Sequence, residues 1–215
     1  MMNREIRSFD FEVRADQNEE HGHFISGTPI VYNAPTDMGW YQETIADGAL
    51  DMTDLRDVRF LVNHNTDMIP LARSRNNNEN STMQMRVVPN EGMEIRVDLD
   101  TENNADAKAL YSAVERQDIS GMSFMFSVNG DNWEDLESEY PKRTITSIGK
   151  VFEVSAVTFP AYEQTSIQAR GLADALESAK ASLESARAEK REIDRQKQKI
   201  RIILGGSNEP EGNEC

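Results

Sequence analysis

Short segments in which apolar and polar residues alternate occur repeatedly within residues 1–170 of the chain. Phe9, Phe11 and Val13 are separated by charged residues, and the same period of two runs through residues 93–100. This period places the apolar side chains on one face of a half-buried strand. Further predicted strands are Phe24–Tyr32, Val58–Asn63, Met83–Val88, Met122–Val128 and Thr144–Thr158, the last with a break near Gly149. The pattern therefore predicts a β-rich domain.

One segment of this domain has the period of a helix instead. Apolar residues three and four positions apart form a stripe within residues 104–117, and an asparagine at the start can cap the free N–H groups. Pro89–Gly92, between two predicted strands, has the composition of a hairpin connection. Ser74–Ser81 and Asn129–Arg143 are polar, and we expect both to be surface loops. Strands with at least one packed helix predict an α+β fold.

The pattern changes after Arg170. The apolar residues then follow a seam of alternating three- and four-residue steps: Leu172, Leu176, Ala179, Leu183, Ala186, Ile193, Ile200 and Leu204. Such a seam is typical of an amphipathic helix with a partner helix, although Lys190 and Lys197 on the seam argue against a strong permanent coiled coil. The alternative is a helix that packs on its own body. The sequence thus predicts a main domain over 1–170, an amphipathic helix over 171–204 and a disordered polar tail over 205–215.

Composition narrows the possible functions. A formal net charge of −15 opposes contact with phosphates, so we expect no nucleic-acid partner. No apolar run reaches the length of about 18 residues that a membrane span needs, and no secretory signal is evident, so we expect no membrane partner and a site of action inside the cell that makes the chain. The single cysteine, Cys215, excludes an intrachain disulfide and a cysteine-based zinc site, and we expect no cofactor.

Three histidines limit the candidates for a catalytic base. His21 and His23 form an H-x-H pair, but no third ligand accompanies them, so we expect a surface pair and no metal site. His64 ends the apolar strand VRFLVN and begins a polar turn, which combines rigid support with an exposed imidazole. His64 is therefore the candidate base, with a structural role as the alternative.

Two further residues stand out near apolar strands. A serine hydroxyl becomes a nucleophile when a base takes its proton and donors stabilise the oxyanion. Ser123 lies in SGMSFMF at the start of a strand, where Gly121 gives the backbone freedom to aim an N–H at a substrate carbonyl; the alternative is a small strand residue. Glu153 lies among apolar residues and needs a partner, which can be His64, an arginine or a backbone N–H.

Together these segments resemble the prohead protease family of tailed bacteriophages. The match runs in order through LVNHN with PLAR around His64, SGMSFMF around Ser123 and FEVSAVTFPAY around Glu153. The resemblance implies the fold of herpesvirus assemblins, a β-barrel flanked by helices. It also implies that Ser123 attacks the substrate, that His64 transfers the proton and that Glu153 orients His64, with Asp67 as the alternative for this third role.

The resemblance further implies a serine endopeptidase inside the immature capsid in the host cytoplasm. Its expected partners are the major capsid protein or a scaffold protein as substrate, with a homo-oligomer as a possibility. We expect the helix over 171–204 to dock onto scaffold or capsid protein, and self-cleavage at a hinge near Gln168–Gly171 or in the tail after Gly205. The rival is a non-enzymatic scaffold or assembly protein that keeps the barrel as a binding module. An ordinary esterase is disfavoured because no G-x-S-x-G motif is present.

Overall fold

The computed structural model describes residues 4–9, 13–19, 22–158 and 166–205. The strands in these ranges are β1 (Glu5–Phe9), β2 (Arg14–Asn18), β3 (Gly22–Val31), β4 (Thr36–Asp37), β5 (Gln42–Ile45), β6 (Val58–Val62), β7 (Ala72–Ser74), β8 (Met83–Val88), β9 (Gly92–Asp98), β10 (Gly121–Glu134) and β11 (Lys142–Val157). The helices are α1 (Ala105–Glu115) and α2 (Ser166–Gly205). The predicted β-rich α+β fold with a C-terminal helix is confirmed.

The described strands form two sheets. The larger has the order β1-β10-β11-β5-β4, with β6 paired to β11 and β7 paired to β6, and the smaller has the order β2-β3-β9-β8. The predicted closed barrel is not confirmed, since no strand ladder joins the two sheets in the described residues. At the corner between β7 and β8 they meet through a backbone hydrogen bond, from the Thr82 N–H to the Arg73 carbonyl at 3.0 Å.

The long hairpin of β10 and β11 organises the larger sheet. β11 pairs with β10 along its length, and its other edge is parallel to β5 over Lys142–Ile145 and to β6 over Glu153–Ala156. The predicted loop over Asn129–Arg143 is wrong, because both strands continue into it and Trp133 pairs with Arg143. The predicted break near Gly149 is also absent from β11, and the irregularities lie in its register against β10.

The other strand and helix predictions agree with the structure in most places. Met83–Val88 is β8, and Pro89–Gly92 makes the turn into β9. Asn104 caps α1 by accepting hydrogen bonds from two backbone N–H groups, and the apolar stripe of α1 is buried. The predicted period at Phe9, Phe11 and Val13 includes residues 10–12, which lie outside the described residues; Phe9 belongs to β1 and Val13 directly precedes β2.

The core lies where the two sheets and α1 pack together. The core residues lie on the inward-facing sides of the strands and on the buried side of α1. They include Ile25, Ile30, Phe60, Met83, Met93, Val97, Leu110, Phe124, Phe126 and Ile148. Because side chains alternate across a strand, burying Phe124 and Phe126 turns Ser123 to the opposite face of β10. The hydrophobic pattern of this strand therefore decides on which face its serine lies.

The first half of α2 packs on the body of the protein. Ala175, Ala179 and Leu183 are buried, and the Ser182 hydroxyl accepts a hydrogen bond from the Trp133 indole N–H at 3.0 Å. Arg187 donates from Nε to the Leu136 carbonyl at 2.8 Å. For this half of α2, the alternative prediction is therefore correct: the helix packs on the rest of its own chain.

The rest of α2 lies largely in solvent, although Lys190 forms an ion pair with Glu137 at 3.8 Å. Residues 188–202 are exposed, including Ile193, Ile200 and Ile202. The expected hinge at Gln168–Gly171 lies inside the helix, and 206–215 of the predicted tail lie outside the described residues. Within the part of the chain that the structure describes, no helix has the length and apolarity to span a membrane.

A buried cluster of charged residues ties β1 to the larger sheet. Glu5 and Arg7 of β1, Glu43 of β5, and Arg143 of β11 each have 3% exposure or less. Arg7 binds the Glu43 carboxylate through Nε and, at 2.7 Å, through a terminal nitrogen, and it reaches Glu5 at 2.6 Å. Arg143 contacts both glutamates at 3.0 Å and Asp131 of β10 at 2.6 Å. We call these five residues the ionic cluster.

Acid is expected to weaken the docking of β1. Burial raises the pKa of Glu5, but Arg7 and Arg143 outweigh burial and hold it below the ordinary 4.5. Because the pKa is lowered on folding, ionised Glu5 stabilises the folded protein at pH values above 4.5. This contribution is lost as the pH falls through the folded-state pKa. Its size is about 1.4 kcal/mol for each unit by which the pKa is lowered. Urea unfolding from about pH 7 to about pH 3 should show a smaller loss for Glu5→Gln than for wild type. Equal losses would contradict this assignment.

Gly92, at the turn into β9, is expected to tolerate no larger residue. Its φ of +137° lies in the region that favours glycine, and an added Cβ would collide with the backbone of Ile30 and Val31. We expect Gly92→Ala to lower the free energy of unfolding by about 3 kcal/mol or more, measured by urea denaturation. The control is Gly39→Ala, where φ is +91° but nothing lies within 4 Å, and we expect a loss of about 1 kcal/mol there. Equal losses would show that the collision does not matter.

Candidate active site

His64 lies in a tight turn at the end of β6. Asn63 and His64 both have positive φ, 51° and 56°, a conformation that costs a non-glycine residue about 1–2 kcal/mol. The parallel pairing of β6 with β11 holds this turn, because the Asn63 N–H donates to the Ala156 carbonyl at 2.9 Å and the His64 N–H donates to Ser155 Oγ at 3.1 Å. The Asn63 side chain also exchanges two hydrogen bonds with Thr158, at 3.0 and 2.9 Å.

The other two predicted residues lie on adjacent strands, on the face that this turn covers. Ser123 of β10 pairs with Ser155 of β11, and Met125 pairs with Glu153. Since residues two apart share a face of a strand, Ser123, Glu153 and Ser155 point to the same side of the sheet. The register of the hairpin thus brings a hydroxyl and a carboxylate to either side of the His64 ring.

Two short hydrogen bonds connect the three residues through the imidazole of His64. Its Nε2 lies 2.5 Å from Ser123 Oγ, and its Nδ1 lies 2.5 Å from Glu153 Oε1. Ser123 and His64 are both 0% exposed, and Glu153 is 3% exposed. The prediction that the His64 imidazole is exposed is therefore wrong, because the turn places His64 between Ser123 and Glu153. The three predicted residues come together, while their catalytic roles stay predictions.

Ser155 belongs to the same hydrogen-bonded group, although the sequence analysis did not single it out. Its hydroxyl donates to Glu153 Oε2 at 2.6 Å and accepts the His64 N–H. It thereby fixes the carboxylate and the backbone of the histidine with one side chain. The sequence feature that could have identified Ser155 is its position two residues after Glu153, which places both side chains on the same face of a strand.

The remaining candidates lie elsewhere. Asp67 is exposed and its backbone N–H bonds to Asn65 Oδ1 at 3.1 Å, so the carboxylate on the His64 ring is that of Glu153. Gly121 is a paired strand residue without positive φ, so the special backbone conformation expected for it is absent.

The histidine pair lies away from this group. His23 bonds to the Thr101 hydroxyl at 2.8 Å and packs edge-on against Tyr111, and His21 lies outside the described residues. Across the described ranges, no three His, Cys, Asp or Glu side chains are grouped so as to hold a metal ion.

The strand β1 also reaches the candidate site, which the sequence analysis did not predict. Ser8 lies directly opposite Ser123, and its hydroxyl donates to Ser123 Oγ at 2.8 Å. The carbonyl oxygen of Arg7 lies 2.8 Å from the same Oγ and accepts its hydrogen bond. Ser123 has one O–H, so the Arg7 carbonyl and His64 Nε2 compete for its proton.

A serine, a histidine and a carboxylate joined in this order are typical of serine hydrolases. The model of the caudovirus prohead serine protease family matches residues 9–179, which include all three segments of the predicted resemblance. The chain belongs to this family, and the predicted membership is confirmed. No curated protein and no solved structure matches the chain.

Ser155 is expected to act as a positioning residue. Ser155→Ala removes a hydrogen bond to a buried carboxylate and one from the His64 backbone, so we expect kcat to fall about tenfold or more while KM stays unchanged. Steady-state kinetics on a peptide substrate measures both constants.

The matched control is Ser127→Ala on β10. Ser127 is also buried, but its hydroxyl has no hydrogen-bond partner among the described residues. Its removal should leave kcat unchanged and stability equal or slightly higher. A wild-type kcat in Ser155→Ala would show that Ser155 does not position the histidine.

Proposed function

We propose that this member of the family is a serine endopeptidase that cleaves scaffold or capsid protein inside the immature phage capsid, and also itself. The observation that carries the proposal is the chain of hydrogen bonds from Glu153 through His64 to Ser123. A serine paired in this way has a base for its proton and a carboxylate that stabilises the imidazolium formed.

The proposed reaction follows from these contacts. Glu153 accepts the Nδ1–H of His64, which leaves Nε2 free to take the Ser123 proton as Oγ attacks the peptide carbonyl carbon. The C–N bond then breaks, and the imidazolium gives its proton to the leaving amine. Water, activated by His64 in turn, releases the acyl group and restores Ser123.

The burial of the group favours this chemistry. In a site of low dielectric, the interaction of Glu153 with a protonated His64 is stronger than in water. The strained turn at Asn63 and His64 and the hydroxyl of Ser155 hold the ring in place before substrate arrives. Such preorganisation reduces the rearrangement needed in the transition state.

The exposed half of α2 supports the proposed docking onto scaffold or capsid protein. Ile193, Ile200 and Ile202 are 43%, 55% and 74% exposed. Ile193 and Ile200 belong to the helical seam that the sequence predicted for a partner helix, whereas Ile202 lies off that seam. Docking of the half after Arg187 would leave the packed half in place on the body.

Self-cleavage within Gln168–Gly171 would require local unwinding, because proteases bind extended chain and these residues are helical. In the second region, the sequence Gly205-Gly206 followed by polar residues does not favour a helix, so cleavage there is not expected to meet this barrier. We therefore favour the second region as a self-cleavage site.

Mass spectrometry of wild type beside Ser123→Ala, each incubated alone and with the cognate capsid protein, tests the proposed activity. We expect discrete fragments from wild type, and cleavage reduced by a factor of about 10⁴ or more in the variant, because the nucleophile is gone. Intact chains in both co-assembled samples would favour the non-enzymatic scaffold. Equal cleavage in wild type and in the variant would exclude Ser123 as the nucleophile.

The third member of the site is tested by two matched amide substitutions. Glu153→Gln should lower kcat about 10²–10⁴-fold, because an amide can impose the wrong tautomer on His64. Asp67→Asn should leave kcat within about twofold, since exposed surface changes have small effects. A large loss in Asp67→Asn with little loss in Glu153→Gln would reverse the assignment.

A further inference from the structure

Access to Ser123 is restricted. Neither Ser123 nor His64 has exposed surface, yet a protease must bring a peptide carbonyl to its serine. Along one edge, β10 pairs with β11, and along the other it pairs with β1 over Glu5–Phe9. The edge on which an incoming peptide could form hydrogen bonds beside Ser123 is thus already occupied.

The occupant is held as a bound peptide would be. β1 runs antiparallel to β10 with Ser8 opposite Ser123, and the carbonyl of Arg7 is within hydrogen-bond distance of the nucleophile. Extended peptides commonly bind by adding a strand to a free sheet edge, where the backbone ladder supplies affinity. In this arrangement Arg7 provides the carbonyl nearest to Ser123.

The contact blocks reaction. The Arg7 carbonyl presents its oxygen to Ser123 and competes with His64 for the hydroxyl hydrogen, while attack requires the carbonyl carbon to face Oγ and the proton to go to His64. The ionic cluster and the hydrogen bond between Glu5 and Ser178 of α2 keep β1 from shifting.

We propose that β1 occupies the strand position in which substrates bind to β10, and that it has to leave before the protease acts. This inference rests on the proposed function. β1 is an edge strand, so its departure breaks one strand ladder, together with its ion pairs to Glu43 and Arg143 and its hydrogen bond to Ser178. The family match begins at residue 9, so residues 5–8 of β1 precede the part of the chain that defines the family.

The site of Arg7 also indicates the class of substrate. When β1 leaves, it takes Glu5 and Arg7 with it, and the buried cluster keeps Glu43, Arg143 and Asp131. These three groups carry one net negative charge, and the Glu43 carboxylate loses the guanidinium that it binds through two nitrogens. A buried carboxylate favours a new cationic partner. Substrates are therefore peptides with arginine or lysine before the cleaved bond.

A reversible disulfide between β1 and β10 tests the blocked site. Ile6 and Met125 lie directly opposite each other, a placement that allows a disulfide across paired strands. Ile6→Cys and Met125→Cys are combined with Cys215→Ser, so that the full-length chain has one possible bond. The probe is the tripeptide Glu-Ile-Arg with a fluorogenic C-terminal amide, and the reduced protein serves as the matched control for the oxidised one. We expect at least a tenfold lower rate after oxidation and full recovery on reduction.

A second variant loosens β1 without a crosslink. Ile6 is 7% exposed, so Ile6→Asp places a charge in a buried position of β1 and should raise the rate above wild type. Equal rates in the oxidised and reduced forms, with Ser123-dependent cleavage intact, would overturn the blocked site and leave the proposed function standing. If no form of the protein cleaves the probe, including a folded Ile6→Asp protein, both the blocked site and the proposed function are overturned.

The substrate class is tested with a citrulline version of the same tripeptide. Citrulline keeps the shape of arginine without its charge, so the comparison isolates the ion pair with Glu43. We expect kcat/KM to be at least tenfold higher for the arginine peptide in the Ile6→Asp protein. Equal values would overturn the assignment of the Glu43 site to a basic side chain.

Discussion

The two hydrogen bonds of the His64 ring depend on the register of β10 against β11. Ser123 and Glu153 come from different strands, and both reach the ring because Ser123 pairs with Ser155 and Met125 pairs with Glu153. A slip of one residue would turn one strand's polar side chains toward the core, exchanging them with Phe124 and Phe126. Packing of the aromatic face therefore holds the polar face in place, and the core and the site are two sides of one hairpin.

The same sheet connects the site to β1 and α2. β1 pairs with the edge of β10 that β11 does not occupy. The ionic cluster joins β1 to β5 and β11, and the first half of α2 packs beside β1. Removing one partner from a buried ion pair destabilises by about 3–5 kcal/mol, because the other charge is left buried and unpaired, so the docking of β1 depends on a complete cluster. A change in β1 or α2 is thus transmitted to the nucleophile through direct contacts.

Much of this arrangement could be predicted from sequence. The period of two located most strands, and the resemblance indicated His64, Ser123 and Glu153. The charged segment 129–143 was misassigned, because its charges are satisfied across the sheet, as in the pair Arg143–Asp131 at 2.6 Å. The position of β1 was missed because a short strand carries no local signal of a partner more than 100 residues away.

The proposed role of His64 as a base requires one particular tautomer of its ring, which NMR can identify. In full-length protein with ¹⁵N-labelled histidine, NMR correlations between ring nitrogens and carbon-bound protons show which nitrogen carries the proton, and substitutions of His21 and His23 assign the signals. We expect a proton on Nδ1, donated to Glu153, and an unprotonated Nε2 facing Ser123. A neutral ring with its proton on Nε2 would contradict this role, because Ser123 would then have no base.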